Sequence, residues 1–550
     1  MGRFPHCAWG VVASCLLVAC GGGGGDDSVP VTPPVTAPPS QPPVPTPPAS
    51  VTISGKLTFQ RVPFRPTSAV GLDYAAQTQQ PARGISFEVR NAGTQAVLAS
   101  GVTDANGDYS VSVPGGTNVV IRALAQMVRT GGSLPHWNFR VRDIDTNGPV
   151  YTHDGAAFSS GSGSSTAHLA IPSGWSITGA ADGTRAAAPF AVLDVIYDAV
   201  SLVLSAAPSA DFPVLTVDWS PQNPGAQTFY SNDAGGDDRH IVLSGEADVD
   251  TDEYDTYVIA HEFGHYIEDR FSRSDSIGGS HAFLQRLDPR VAFGEGFGNA
   301  FAAMVNGSPV LRDSAGAGQL NEGRFNVESD MSDDGWFSES SCQEVLWDLF
   351  DAANEGADAL TTGFLPIWQV LSGAERTTPA LTSLFPFITA LKQQIPASAA
   401  QIDSLVAAES IDSAAIDAFA TAETHFPSPA VQAEVLPVYT DIAIGGPTRT
   451  VLSTGRFGSE NKLSNHRFLR LAVAMQRSVR VIVSAPSRDA DVAILRGAEV
   501  LRFPQENGPS DEDFTILLAA GTYVLDVYDC GNAACGPDQP ADTDITVSVN

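Results

Sequence analysis

The stretch "VIAHEFGHYIED", residues 258–269, sets His261 and His265 four residues apart, with Glu262 directly after the first. On an α-helix, residues i and i+4 share a face, so these two imidazoles can aim at one point. Zinc takes such ligands at about 2.0–2.1 Å in a tetrahedral shell. A glutamate in the position of Glu262 can take a proton from a water activated by that metal. The flanks strengthen the reading. Val258, Ile259 and Ala260 precede the motif, Tyr266 and Ile267 follow it, and Phe263 and Gly264 inside it carry no charge. A helix with one side in a core and its histidines facing a cleft needs this pattern. The plain alternative is a pair of surface or core histidines.

Two histidines leave the shell open. A metzincin would continue with a glycine and a third histidine, but Glu268 and Phe271 stand at those positions. His281 sits in the loop-like "GGSHAF" (278–283), which would hold a ligand poorly. The better candidate is "VAFGEGFGNAFAAM" (291–304), read as a second helix with Glu295 and Asn299 on one face. Glu295 can complete a shell of two histidines and a glutamate. Asn299 can accept a hydrogen bond from the outer nitrogen of one histidine, which fixes tautomer and ring orientation.

"HEFGH" followed by "GEGFGNAFA" resembles the gluzincins, the peptidase clan that includes thermolysin and fungalysin, and is similar to the fungalysin pattern. The likeness extends over roughly 185–445. It implies an α+β zincin catalytic domain with a C-terminal helical subdomain, one catalytic Zn2+ on His261, His265 and Glu295, and Glu262 as general base. It also implies that a strand before the first zinc helix pairs with substrate, and "HIVLSG" (240–245) is the candidate. "CQEVLWDLFDAA" (342–353) resembles the helix that follows the second zinc helix in such enzymes. Asn299 departs from the pattern, because the clan carries an aspartate there. Relatives use a histidine or tyrosine from the helical subdomain against the oxyanion. His425 and Tyr439 are the candidates here. No inhibitory propeptide is recognisable, and no amine-binding motif is evident, which favours an endopeptidase.

The rest of the chain sets the context. Its 550 residues carry a formal charge of −32, which argues against nucleic acid or an anionic membrane surface as partner. Arg3 and the apolar run Trp9–Ala19 form a targeting segment, too short to span a bilayer as a stable helix, and no later stretch reads as transmembrane. The segment ends in "LVAC", which resembles the lipobox of bacterial lipoproteins, with Cys20 as the lipid-bearing residue. Membrane contact is then through a lipid anchor only, at the outer membrane or cell surface; the alternative is an ordinary secretory signal with a chance cysteine, and a secreted protein. Residues 21–50, rich in Gly and Pro, read as a tether.

Three folded parts are expected. Residues 51–178 read as a β-rich domain, since "ISGKLTF", "ISFEVRN" and "YSVSVP" alternate. "TDANGDYSVSVPGG" in it resembles transthyretin-type, carboxypeptidase regulatory-like β-sandwiches. The zincin domain follows at 179–445, and a C-terminal β-sandwich of pre-peptidase C-terminal type at 446–550. Cys530 and Cys535 in "CGNAAC" can close a local disulfide. The carboxylates between Asp248 and Asp255 are dense enough to hold Ca2+, although a solvated acidic loop accounts for them equally well. The expected function is a zinc-dependent peptidase acting on polypeptide. The alternative is a catalytically inactive surface-binding lipoprotein on the same fold.

Overall fold

One sheet runs from the N-terminal strands into the region of the HExxH helix. The computed structural model describes residues 49–66, 70–144, 148–223, 228–232, 239–329, 333–353, 359–503, 511–535 and 538–550. The expected anchor Cys20 and its tether lie outside them. Along the sheet the strands are ordered Phe229–Ser231, His240–Leu243, Leu215–Trp219, Trp137–Asp143, Asn118–Arg129, Ile85–Asn91 and Val97–Val102. Leu215–Trp219 runs parallel to both neighbours and is buried along its whole length. Such a strand needs apolar residues on both faces, which "LTVDW" nearly supplies.

This sheet changes the expected boundary at 178/179. Trp137–Asp143, from the expected N-terminal domain, pairs residue for residue with Leu215–Trp219 of the next. Arg142 donates to Asp218 across the seam at 2.5 Å. Phe139 is fully buried and meets the rings of Phe212, Phe263 and Tyr266 edge-on, with centroids 5.8–6.2 Å apart. A second sheet, built on Ser50–Arg61 and Asp108–Pro114, covers the far strands, and Tyr109 stacks on Phe87. The N-terminal part is therefore sandwich-like, but one of its sheets is shared.

Helix α1 (Ala188–Ala206) packs on this sheet. By length and composition it could cross a membrane, contrary to the sequence reading, yet most of it is buried in the core. Helices α2 (Thr256–Phe271) and α3 (Pro289–Asn306) pack side by side, and α4 (Glu339–Phe350) lies against α3. Asp288 caps α3 by accepting from the Arg290 backbone N–H, Pro289 starts it, and Gly307 ends it at φ 61°. Between those ends nearly every residue of α3 is buried, so it is a core helix with no solvent face.

The C-terminal sandwich begins at Tyr439 rather than 446, because Tyr439–Ile442 pairs with His466–Val473. One sheet holds those two strands with Gly521–Asp529, Ala490–Arg496 and Glu499–Arg502. The other holds Arg449–Ser453, Thr543–Val549, Arg477–Ser484 and Glu512–Leu518. Between them lies a separate core that includes Leu469, Val481, Val492, Leu525 and Val547. Cys530 and Cys535 are joined by a disulfide, and Cys342 is a buried free thiol.

Candidate metal centre and cleft

Helix α2 buries Ile259, Ala260, Phe263, Tyr266 and Ile267 and leaves His261 and His265 partly open. Glu295 comes from the middle of α3. The two Nε2 atoms are 3.0 Å apart, and Glu295 Oε2 lies 3.3 Å from His261 and 3.4 Å from His265. A tetrahedral ion about 2.0–2.1 Å from each donor needs donors roughly 3.3–3.4 Å apart, so the set fits zinc. Two neutral imidazoles and one carboxylate also match zinc's ligand preference.

The outer contacts set which nitrogen is free. Asn299 donates from Nδ2 to Gln343 Oε1 at 2.9 Å, so its Oδ1 faces His261 Nδ1 at 2.9 Å. Nδ1 then carries the hydrogen, and Nε2 keeps its lone pair for a metal. Gln343, on α4 and 1% exposed, was not anticipated from sequence, where no local spacing ties it to Asn299. Gly298 was also missed. A Cβ there would sit 2.8 Å from His261 Cε1, so only glycine lets α3 approach the ring.

Burial pushes the Glu262 carboxyl up from its ordinary value, against the pull of His261 and His265. A carboxylate made more basic in this way is better suited to accept a proton. Burial alone would lower His265, but the Glu295 carboxylate beside it wins and raises it. The Glu295 carboxyl sits well below its ordinary range: burial raises it, and the histidines around it outweigh that.

A cleft of about 570 Å³ opens over these groups. Its lining includes Phe229 and Tyr230 of the edge strand with Thr228 before it, Glu262 and Asp269 of α2, and the segment from Ser276 to His281. A second, mostly apolar cavity of about 470 Å³ adjoins His261, between Val258, Phe283, Leu311 and Phe325. Among the described residues the strand at the sheet edge is Phe229–Ser231, not "HIVLSG". His240–Leu243 is hydrogen-bonded on both sides, so its backbone is not free for a further strand.

His281 approaches the centre more closely than its loop suggested, with Nε2 3.2 Å from Glu295 Oε2. It does not join the three-atom cluster of His261, His265 and Glu295, whose ligand atoms all lie within 4.8 Å of one another. His425 and Tyr439 are both away from the cleft. His425 is exposed. The Tyr439 hydroxyl accepts from the Leu381 backbone N–H at 3.1 Å, and its ring packs on Phe419 and Phe468. Neither residue lines the cleft. The acidic stretch divides as well. Asp250 and Asp252 meet Asp313, whereas Glu253 pairs with Arg185 at 3.0 Å and Asp248 accepts from the Gly318 backbone.

Residues 205–382 match a family described as the mycolysin C-terminal domain, so this part of the chain is peptidase-related. The precursor of protealysin, a metalloproteinase from Serratia proteamaculans, is similar at 9% identity and a TM-score of 0.30, over 52% of this chain and 88% of that one. The pre-peptidase C-terminal domain of a Bacillus anthracis collagenase is similar at 16% identity and a TM-score of 0.16, over 20% of this chain and 94% of that one. No curated protein matches the chain.

Proposed function

We propose that the chain is a zinc-dependent endopeptidase of the gluzincin type. The observation that carries this is the meeting of His261, His265 and Glu295 within 3.0–3.4 Å, in one cleft with a buried Glu262. Zinc held there would supply a hydroxide-like nucleophile at neutral pH and polarise the scissile carbonyl. The other steps belong to the chain's own residues. Phe229–Ser231, the outermost described strand of the sheet, would run alongside an extended peptide in the cleft, and its Tyr230 backbone N–H bonds the Glu262 carboxylate. Glu262 takes the proton of the attacking water and passes it to the leaving amine. Asn299, held by Gln343, keeps His261 in the tautomer that can ligate. Asp250, Asp252 and Asp313 are the group whose oxygens would suit calcium.

The test is Glu262→Gln. Glu262 meets the water and not the metal, so zinc content should stay near one per chain. Peptide turnover should fall by about 10²–10⁴, the usual worth of general acid–base catalysis. Equal rates would remove Glu262 from the mechanism. A zinc-loaded wild type that cleaves none of a broad panel of unfolded proteins would favour the surface-binding alternative.

The working place of the enzyme follows from "LVAC". With Cys20 lipidated, the peptidase sits on the outer membrane or cell surface. Cys20→Ser should shift it to the soluble fraction, and a variant that stays in the membrane fraction would end this part of the reading.

A further inference from the structure

The cleft has a wall that the catalytic helices do not hold. Segment 276–281 lines it, and side chains of the C-terminal sandwich reach that segment from the loop before His466. Asn461 Nδ2 donates to Gly278 O at 2.7 Å, and Lys462 Nζ donates to Ser280 O at 2.8 Å. Lys462 also donates to Asn461 Oδ1, which ties the two donors together. Asn461 is 0% exposed and Lys462 6%. An ammonium is rarely buried unless its hydrogen bonds compensate, so this lysine is committed to its contacts. Backbone contacts hold the same junction: Leu463 N–H to Arg286 O and Asp288 N–H to Asn461 O, each 2.9 Å. Gly279 lies at φ +95°, and a Cβ there would come within 2.6 Å of Glu460 Oε1. The glycine-rich part of the wall, Gly278–Ser280, is seated against the sandwich.

His281 ends this wall. Its Nε2 lies 3.2 Å from Glu295 Oε2 and 3.7 Å from Glu339 Oε2. Glu339 is 3% exposed, and that oxygen has no hydrogen-bond partner. Nε2 faces two carboxylate acceptors, and Nδ1 faces Gly279 O at 3.4 Å, so Nε2 can present an N–H as a donor beside the candidate metal.

We infer that the C-terminal sandwich is a positioning element of the cleft: Asn461 and Lys462 fix Gly278–His281 and thereby hold His281 as the donor that meets the substrate carbonyl. This rests on the peptidase reading. A donor aimed where charge develops in the transition state acts on turnover more than on ground-state binding. The sandwich residues act only through it, and so are positioning residues.

The test uses the full chain, zinc-loaded and zinc-free. His281→Ala should lower kcat by about 10²–10³ with little change in KM, the loss seen on removing one oxyanion donor. Its zinc content should not change. Lys462→Met should lower kcat by roughly 10-fold through misplacement of the wall, and Lys462→Arg should recover most of it. In the His281→Ala background, Lys462→Met should cost nothing further, since non-additivity marks residues acting through one another. Amides of 277–283 should exchange hydrogen faster in Lys462→Met, with or without zinc. Additive losses, or unchanged exchange in Lys462→Met, would overturn the inference. Loss of zinc in His281→Ala would overturn it too, by making His281 a ligand. A wild type without turnover, but with the exchange difference intact, would sink the peptidase reading and leave the contact between sandwich and wall standing.

Discussion

The strands before α1 and the strands after Tyr439 are both β-rich, but they join the cleft differently. The first group enters through backbone hydrogen bonds. Trp137–Asp143 is a central strand of the sheet that carries the edge strand Phe229–Ser231, and Phe139 touches α2 itself. The second group has its own core and reaches the cleft mainly through side chains and a short bridge at Leu287–Lys462. The first is thus inseparable from the part that carries His261, His265 and Glu295, and the second is a neighbour that supports one wall. Alternating residues show that a strand exists, but not which strand lies beside it.

The sharpest way to break this comparison is a buried charge in each region. Val217 in the seam and Val481 in the sandwich are both 0% exposed. An aspartate at either site is left buried without a partner, at a cost of several kcal/mol. Val217→Asp should abolish the cooperative fold of the catalytic part and zinc binding with it. Val481→Asp should disrupt the sandwich core, slow turnover and leave zinc on His261, His265 and Glu295. Zinc per chain and calorimetry of the two variants check this. Equal loss of zinc in both would mean that the two regions unfold as one.

The same contrast explains what was legible in the sequence. Local spacing carried the candidate centre: i, i+4 on α2 for His261 and His265, and i, i+4 on α3 for Glu295 and Asn299. Even the partner of His261 could be argued from one helix face. What stayed hidden was non-local. Lys462 follows His281 by 181 positions and reads as an ordinary surface lysine, while the structure buries it against the cleft wall. His281 looked too loosely held because its loop is glycine-rich, and the clamp on that loop comes from another sheet. Phe229–Ser231 is three residues long and has no periodicity to detect, so its longer neighbour was taken for the edge. The boundary at 178/179 failed for a related reason: composition changes there, but sheet pairing does not stop.

Buried carboxylates sharpen the comparison with the smallest effect, and they do so by opposite pH dependence. On α2, Glu268 is 1% exposed, its Oε1 has no hydrogen-bond partner, and burial pushes its carboxyl up to about 8. At the sandwich junction, burial would also raise Asp526, but Arg290 at 2.8 Å and His466 at 2.8 Å outweigh it and hold it down to about 2. The signs follow from linkage. A carboxyl raised on folding binds its proton more tightly in the folded chain, so its contribution is present below its unfolded value and lost as pH rises toward about 8. A carboxyl lowered on folding contributes above its unfolded value and loses that as pH falls toward about 2. Asp526→Asn should therefore cost about 3–5 kcal/mol near neutrality, since Arg290 is left buried with one partner fewer. Glu268→Gln should be nearly neutral at pH 4.5 and stabilising at pH 8, by on the order of 1–3 kcal/mol once the needs of the buried amide are subtracted. Thermal unfolding of chelator-treated wild type and variants at pH 4.5, 6.5 and 8 measures both, with the metal's own charge removed from beside Glu268. If Glu268→Gln shifts the midpoint equally at pH 4.5 and pH 8, its carboxyl is not the group that titrates. The rising-pH loss would then belong to another buried carboxylate of the catalytic part, with Glu375 next to be replaced.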